Sequence, residues 1–271
     1  MKNLLLALAL LSAAPALAQT KKTTATKKTT VVKKAPVKAT TTKKTTTTVA
    51  KAPAAAPTPA PAPVAPLTEA EASSGLREAL TTGITKAVAF ASEPDGFNLN
   101  DDIRIPFPPD AQLVATTLNV LPGPVGKQAV EQATNLMNRA AEAAAPAAKD
   151  IFLNALQNLS LSDALSLVTS GSKDAATVLL RKNSEAALNA ALRPSIVQSL
   201  DQVGANAAYA KLIERYNKIP LMTPAKNNLT DYVTAQTVDG LFVLLAQQEA
   251  KIRQNPAAQS TALLKRVFGA K

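Results

Sequence analysis

Residues 67–271 are predicted to form a single all-α domain of about eight to ten helices, crossed by one extended strap that contains proline and preceded by a disordered tail. Apolar residues recur three and four positions apart through nearly all of this segment, as the buried face of a helix requires. Helix start and stop signals punctuate the pattern at Thr68, Pro122-Gly123-Pro124, Pro146 and Pro256. Cysteine is absent. The domain must therefore be held by packing alone, which a chain of this length can achieve by burying roughly 70% of its unfolded surface.

The first helix opens at the capping-box spacing Thr68 to Glu71 and places Leu76, Leu80, Ala87, Val88 and Ala91 on one face. A short helix is expected from Asp110 to Leu121. A third, to about Ala145, carries Ala129, Ala133, Leu136, Met137 and Ala140 in one stripe, and Pro146 is expected to start or kink the next. Further helices are expected near 147–158, 162–169, 174–203, 205–218, 229–254 and 256–268. Pro194 should kink or divide the long 174–203 segment. Val238, Leu241, Phe242, Leu245 and Ile252 mark the helix near 229–254 as the central core element. Between Asp101 and Pro109, Ile103, Ile105 and Phe107 alternate with Arg104 and Pro106. The prolines remove ladder donors, so a strap lying across helices is expected there instead of a paired strand.

The net charge of +11 belongs to the N-terminal 66 residues. Eleven lysines and no acid precede Leu67; the 19 remaining basic residues then face all 19 acids. Residues 1–18 read as a cleaved export signal: Lys2, an apolar run from Leu4 to Leu11, and Ala16-Leu17-Ala18 before Gln19. The run is too short for a membrane span, which needs about 20 residues, so no transmembrane segment is expected after cleavage. The expected location is the periplasm or outer envelope of a bacterium. In residues 19–66, Lys, Thr, Ala and Pro supply 42 of 48 positions, with no aromatic residue. Such a segment cannot bury enough apolar surface to offset the entropy of ordering. Lys-Lys-Thr-Thr units at Lys21, Lys27 and Lys43 give way to a Pro/Ala-rich spacer from Ala52. Lysines without arginine or stacking aromatics attract phosphate without reading bases, so sequence-specific nucleic acid is not expected. An anionic envelope surface is the expected partner of this tail, a plain spacer the alternative.

Asp95-Gly96-Phe97, Ile103-Arg104-Ile105-Pro106, Met137-Asn138-Arg139-Ala140-Ala141-Glu142, Asp231-Tyr232-Val233-Thr234, Asp239-Gly240-Leu241-Phe242 and Ile252-Arg253-Gln254-Asn255-Pro256 follow one another in the order of a known family. Over Leu67 to Gly269 the chain resembles domain of unknown function 4197, a family of exported bacterial proteins. The resemblance implies an all-helical envelope domain and carries over no activity and no catalytic residue. Members often look like lipoproteins; this chain lacks the lipid-bearing Cys and has the lysine-rich tail instead.

With neither His nor Cys in the chain, nucleophile systems built on imidazole or thiolate and the corresponding zinc sites are excluded as intrachain machinery. No cofactor is expected. Ser170 and Lys173 match a Ser-x-x-Lys spacing but fall in a turn, where Ser172 or Asp174 is expected to cap the following helix. Asp95, Asn98, Asn100, Asp101 and Asp102 crowd oxygen ligands into one loop, a weak cation candidate that misses the EF-hand spacing. Asn135, Asn138, Arg139 and Glu142 share a helical face, with Asp239, Glu249 and Arg253 as expected opposite numbers. They are read either as a ligand-binding wall centred on Arg139 or as ion pairs joining the third helix to the long C-terminal one. The function expected is a noncatalytic ligand- or partner-binding domain. The alternatives are a carboxylate-dependent glycan hydrolase using Glu142 and Asp239, whose acids should stand about 5–10 Å apart, and a structural assembly protein.

Overall fold

The computed structural model describes residues 65–120 and 126–269. The expected leader, nearly all of the expected tail and the Pro122-Gly123-Pro124 stop lie outside the described residues. Eight α-helices are present and no strand occurs among the described residues: α1 (Glu69–Ala91), α2 (Gln112–Asn119), α3 (Lys127–Gln157), α4 (Ala164–Thr169), α5 (Ala175–Gln202), α6 (Ala205–Asn217), α7 (Leu229–Gln254) and α8 (Ala262–Phe268). Single 3-10 turns precede α2 and α8.

Four long helices make the frame. Each of α1, α3, α5 and α7 packs on two of the others in the cyclic order α1, α3, α5, α7. Neighbours are antiparallel: Arg77 of α1 reaches the Leu156 carbonyl near the end of α3, while Thr177 and Arg193 of α5 meet Glu249 and Asp231 of α7. Alanine dominates the buried face of α3, with Ala133, Ala140, Ala141, Ala144, Ala145 and Ala148 all enclosed, so the helices approach closely. At Gly240 an added Cβ would lie 2.9 Å from the Phe97 ring, which therefore requires the bare backbone there. Helices α2 and α6 cover one region of the frame, beside α3, while α4 and α8 pack on α1.

The capping box forms as the spacing predicts: Glu71 N donates to Thr68 Oγ1 at 3.2 Å and Thr68 N to Glu71 Oε2 at 3.0 Å. Two expectations are corrected. Pro146 does not start a new helix and Pro194 does not divide one: both lie inside the continuous α3 and α5. Both prolines face solvent, and buried residues on either side (Ala144, Ala145 and Ala148; Leu192 and Ile196) hold the helix together across the missing backbone donor. The start of α5 is not capped by Ser172 or Asp174, whose side chains bond each other at 2.8 Å. Its first amides are taken by Glu249 of α7.

The strap is present but shorter than expected. Residues 101–103 are turns, and the irregular segment that crosses the helices runs from Arg104 to Pro108. Ile105 is fully buried, Phe107 stacks on Tyr209 of α6 with centroids 5.6 Å apart, and the Tyr232 hydroxyl of α7 donates to the Pro106 carbonyl at 3.1 Å. Burial, with Asp110 nearby, pushes the Tyr209 hydroxyl up to about 12.

Candidate functional site

The polar face of α3 holds the loop and the strap. Asn138 is 0% exposed and spends its amide on backbone: Ile105 N donates to Oδ1 at 2.8 Å, and Nδ2 donates to the Ile105 carbonyl at 2.8 Å and the Thr134 carbonyl at 2.9 Å. One turn on, Glu142 is 5% exposed. Its Oε1 accepts from Phe97 N and Asn98 N, both at 3.2 Å, and its Oε2 meets Arg139 Nη1 at 3.0 Å. Arg139 also reaches Asp95 Oδ1 at 2.9 Å. Asp95 adopts a left-handed backbone, φ 63°, which a short polar side chain tolerates. Gly96 follows because a Cβ there would lie 2.4 Å from the Phe90 carbonyl oxygen.

The loop oxygens singled out as cation ligands are largely engaged within the protein. Asp95 Oδ1 accepts from Asn98 Nδ2 as well as from Arg139, Asn100 Oδ1 accepts from Asp102 N, and Asp102 Oδ2 accepts from Gln247 on α7. Asp101 is exposed, and Asn98 Oδ1 is buried without a protein partner. Among the described residues no group of three or more acids converges as metal ligands.

The expected opposite numbers of the α3 face lie elsewhere. Asp239 pairs with Arg181 of α5, which also grips Glu185. Glu249 accepts from Ala176 N at 3.1 Å, Thr177 N at 2.8 Å and the Thr177 hydroxyl at 2.6 Å. Arg253, one turn away, closes a buried ion pair with it at 2.8 Å and lies over the Phe268 ring. Among the described residues no ion pair or side-chain hydrogen bond joins Arg139 or Glu142 to α7, and Asn135 is exposed on α3. Ser170 donates its hydroxyl to the Leu167 carbonyl at 2.8 Å, with Lys173 in solvent.

Two open concave surfaces flank α6, where the sequence offered no motif. One cleft of about 450 Å³ is polar, with Asn206, Asn227, Asn228 and the Arg193–Asp231 ion pair in its wall. A second, of about 460 Å³, runs between α3 and α6 past Leu136, Val203, Ala207, Lys211 and Arg215. Two further grooves, of about 310 and 430 Å³, follow α3 and α5 around Ala155, Asn158 and Ala187. The signal for the second cleft was Lys211 and Arg215, two cations one helical turn apart, but isolated basic pairs are common in a sequence with 30 basic residues.

No helix among the described residues is long and apolar enough to cross a membrane. No curated protein and no solved structure matches the chain. Residues 66–269 match the family described as protein of unknown function, DUF4197, and the chain belongs to that family.

Proposed function

We propose that this is a noncatalytic exported envelope protein: a helical domain that binds a ligand or partner, held close to anionic surfaces by its lysine-rich N-terminal segment. The observation that carries the reading is how the acids are used. Glu142 is spent on two backbone amides and a guanidinium, and Asp239 on Arg181. A glycan hydrolase needs one acid free to protonate a leaving group and a second facing it across a cleft. The concave surfaces beside α6 leave room for binding, and that is what the domain offers a ligand.

The charge partition supports the tether. The domain carries balanced charge while the segment before it holds ten lysines from Lys21 to Lys51 and no acid. Attraction to an anionic surface is worth up to about 1 kcal/mol per lysine and is screened by salt. Deleting residues 21–51 should abolish retention of the protein on anionic vesicles or cell-wall sacculi at about 50 mM salt, and about 500 mM salt should release the intact protein. Retention indifferent to both would refute the tether. For the domain, release of soluble fragments from cell-wall glycan by the purified protein, lost in Glu142→Gln or Asp239→Asn, would establish a hydrolase and overturn the binding reading.

A further inference from the structure

The cleft between α3 and α6 has an uneven lining. Lys211 and Arg215 stand one turn apart on α6, both exposed, and neither makes an ion pair or a side-chain hydrogen bond among the described residues. No acid lines the cleft. Of the acids next to the lining in sequence, Glu214 pairs with Lys218 at 2.5 Å and Glu131 of α3 with Lys127 at 3.7 Å, while Asp201 accepts from Asn206 at 2.6 Å. Like charges four residues apart destabilise a helix unless an anion sits between them. Leu136, Val203 and Ala208, each partly buried, supply the apolar part of the wall. On α6 the lining runs from Ala207 to Arg215, roughly 12 Å of helix.

We propose that this cleft binds an anionic amphiphile, its carboxylate or phosphate head on Lys211 and Arg215 and a short apolar body along Leu136 and Val203. The inference rests on the binding reading and adds the ligand class. Charge complementarity selects the head: two cations without an ion-pair partner and with no acid in the lining disfavour a cation and leave a neutral polyol without a charge-assisted partner. The apolar wall selects against a free inorganic anion, which would gain nothing from it.

The test is titration of the protein, N-terminal segment included, with monomeric dodecyl phosphate, dodecyl maltoside and inorganic phosphate. Calorimetry and the backbone amide shifts of α6 are the readouts. Dodecyl phosphate should shift the α6 amides and bind at least about tenfold more tightly than either other probe. The double variant Lys211→Ala, Arg215→Ala should bind it at least about tenfold more weakly. Both positions are exposed, so the fold should survive, and the N-terminal lysines are common to both proteins. Ala207→Phe, which fills the cleft from an exposed position, should have the same effect. Equal affinity for dodecyl maltoside, equal affinity for inorganic phosphate, or unchanged binding by the double variant would each overturn the proposal. Shifts in α6 caused by a neutral oligosaccharide and not by dodecyl phosphate would also overturn it, yet leave a binding domain standing. Glycan turnover would remove the binding reading itself.

Discussion

Asn138→Ala is the sharpest probe of the interior. The wild-type amide satisfies both backbone groups of Ile105 at 2.8 Å, in a position with no access to solvent. Truncation leaves one buried N–H and one buried C=O without a partner, while the Thr134 carbonyl, also bonded to Nδ2, is left to its helical partner. Each orphaned group costs about 1–3 kcal/mol. Partial relaxation of the strap recovers some of this, giving an expected loss of about 3–4 kcal/mol. In a domain of this size that corresponds to a fall in Tm of roughly 6–16 °C. The measurement is denaturant and thermal unfolding, together with hydrogen exchange at the Ile105 amide, which should lose protection ahead of α3. A Tm within 2 °C of wild type with Ile105 still protected would refute the clamp. If binding were lost at unchanged stability, Asn138 would have to be returned to the ligand-contacting role its helical face first implied.

Glu249→Ala removes the acceptor for two α5 amides and leaves Arg253 buried beside it without its carboxylate; the expected loss is about 3–5 kcal/mol, and an unfolding midpoint like that of wild type would count against the buried pair. Glu71 is held down to about 2 by its hydrogen bond to Arg266 and by the Thr68 cap. Because its folded value lies below the ordinary 4.5, its contribution is fully present above that value and lost as pH falls toward 2. Acid titration over this window should loosen α1 from α8, and Glu71→Gln should flatten the response; an identical acid profile in the variant would sink the assignment.

The long helices were legible because their signals are local. Apolar spacing and capping residues act within a few positions, so the ends of α7 and the capping box of α1 follow directly from residue order. Pro146 and Pro194 do not mark helix boundaries, for the complementary reason. Their breaking tendency is local too, but buried neighbours on both sides outweigh it once the bundle closes. In the polar face of α3, the grouping of Asn138, Arg139 and Glu142 was visible, and their partners were not. Two of the three take backbone groups from 97–105, which carry no side-chain signature. Glu249 as the cap of α5 was hidden likewise, since its amides lie more than 70 positions away in the chain.

Residue order by itself determined three properties: the helical class, the confinement of excess positive charge to the first 66 residues, and the exclusion of imidazole and thiolate chemistry. These depend on composition and short-range periodicity, which need no knowledge of what meets what. Tertiary structure alone decided that Glu142 anchors the Phe97 and Asn98 amides, that Asp239 pairs with Arg181, and that Lys211 and Arg215 face a cleft without a lining acid. Pairing of polar groups is set by the approach of helices far apart in sequence, and a buried group takes whichever partner that packing brings within hydrogen-bond range.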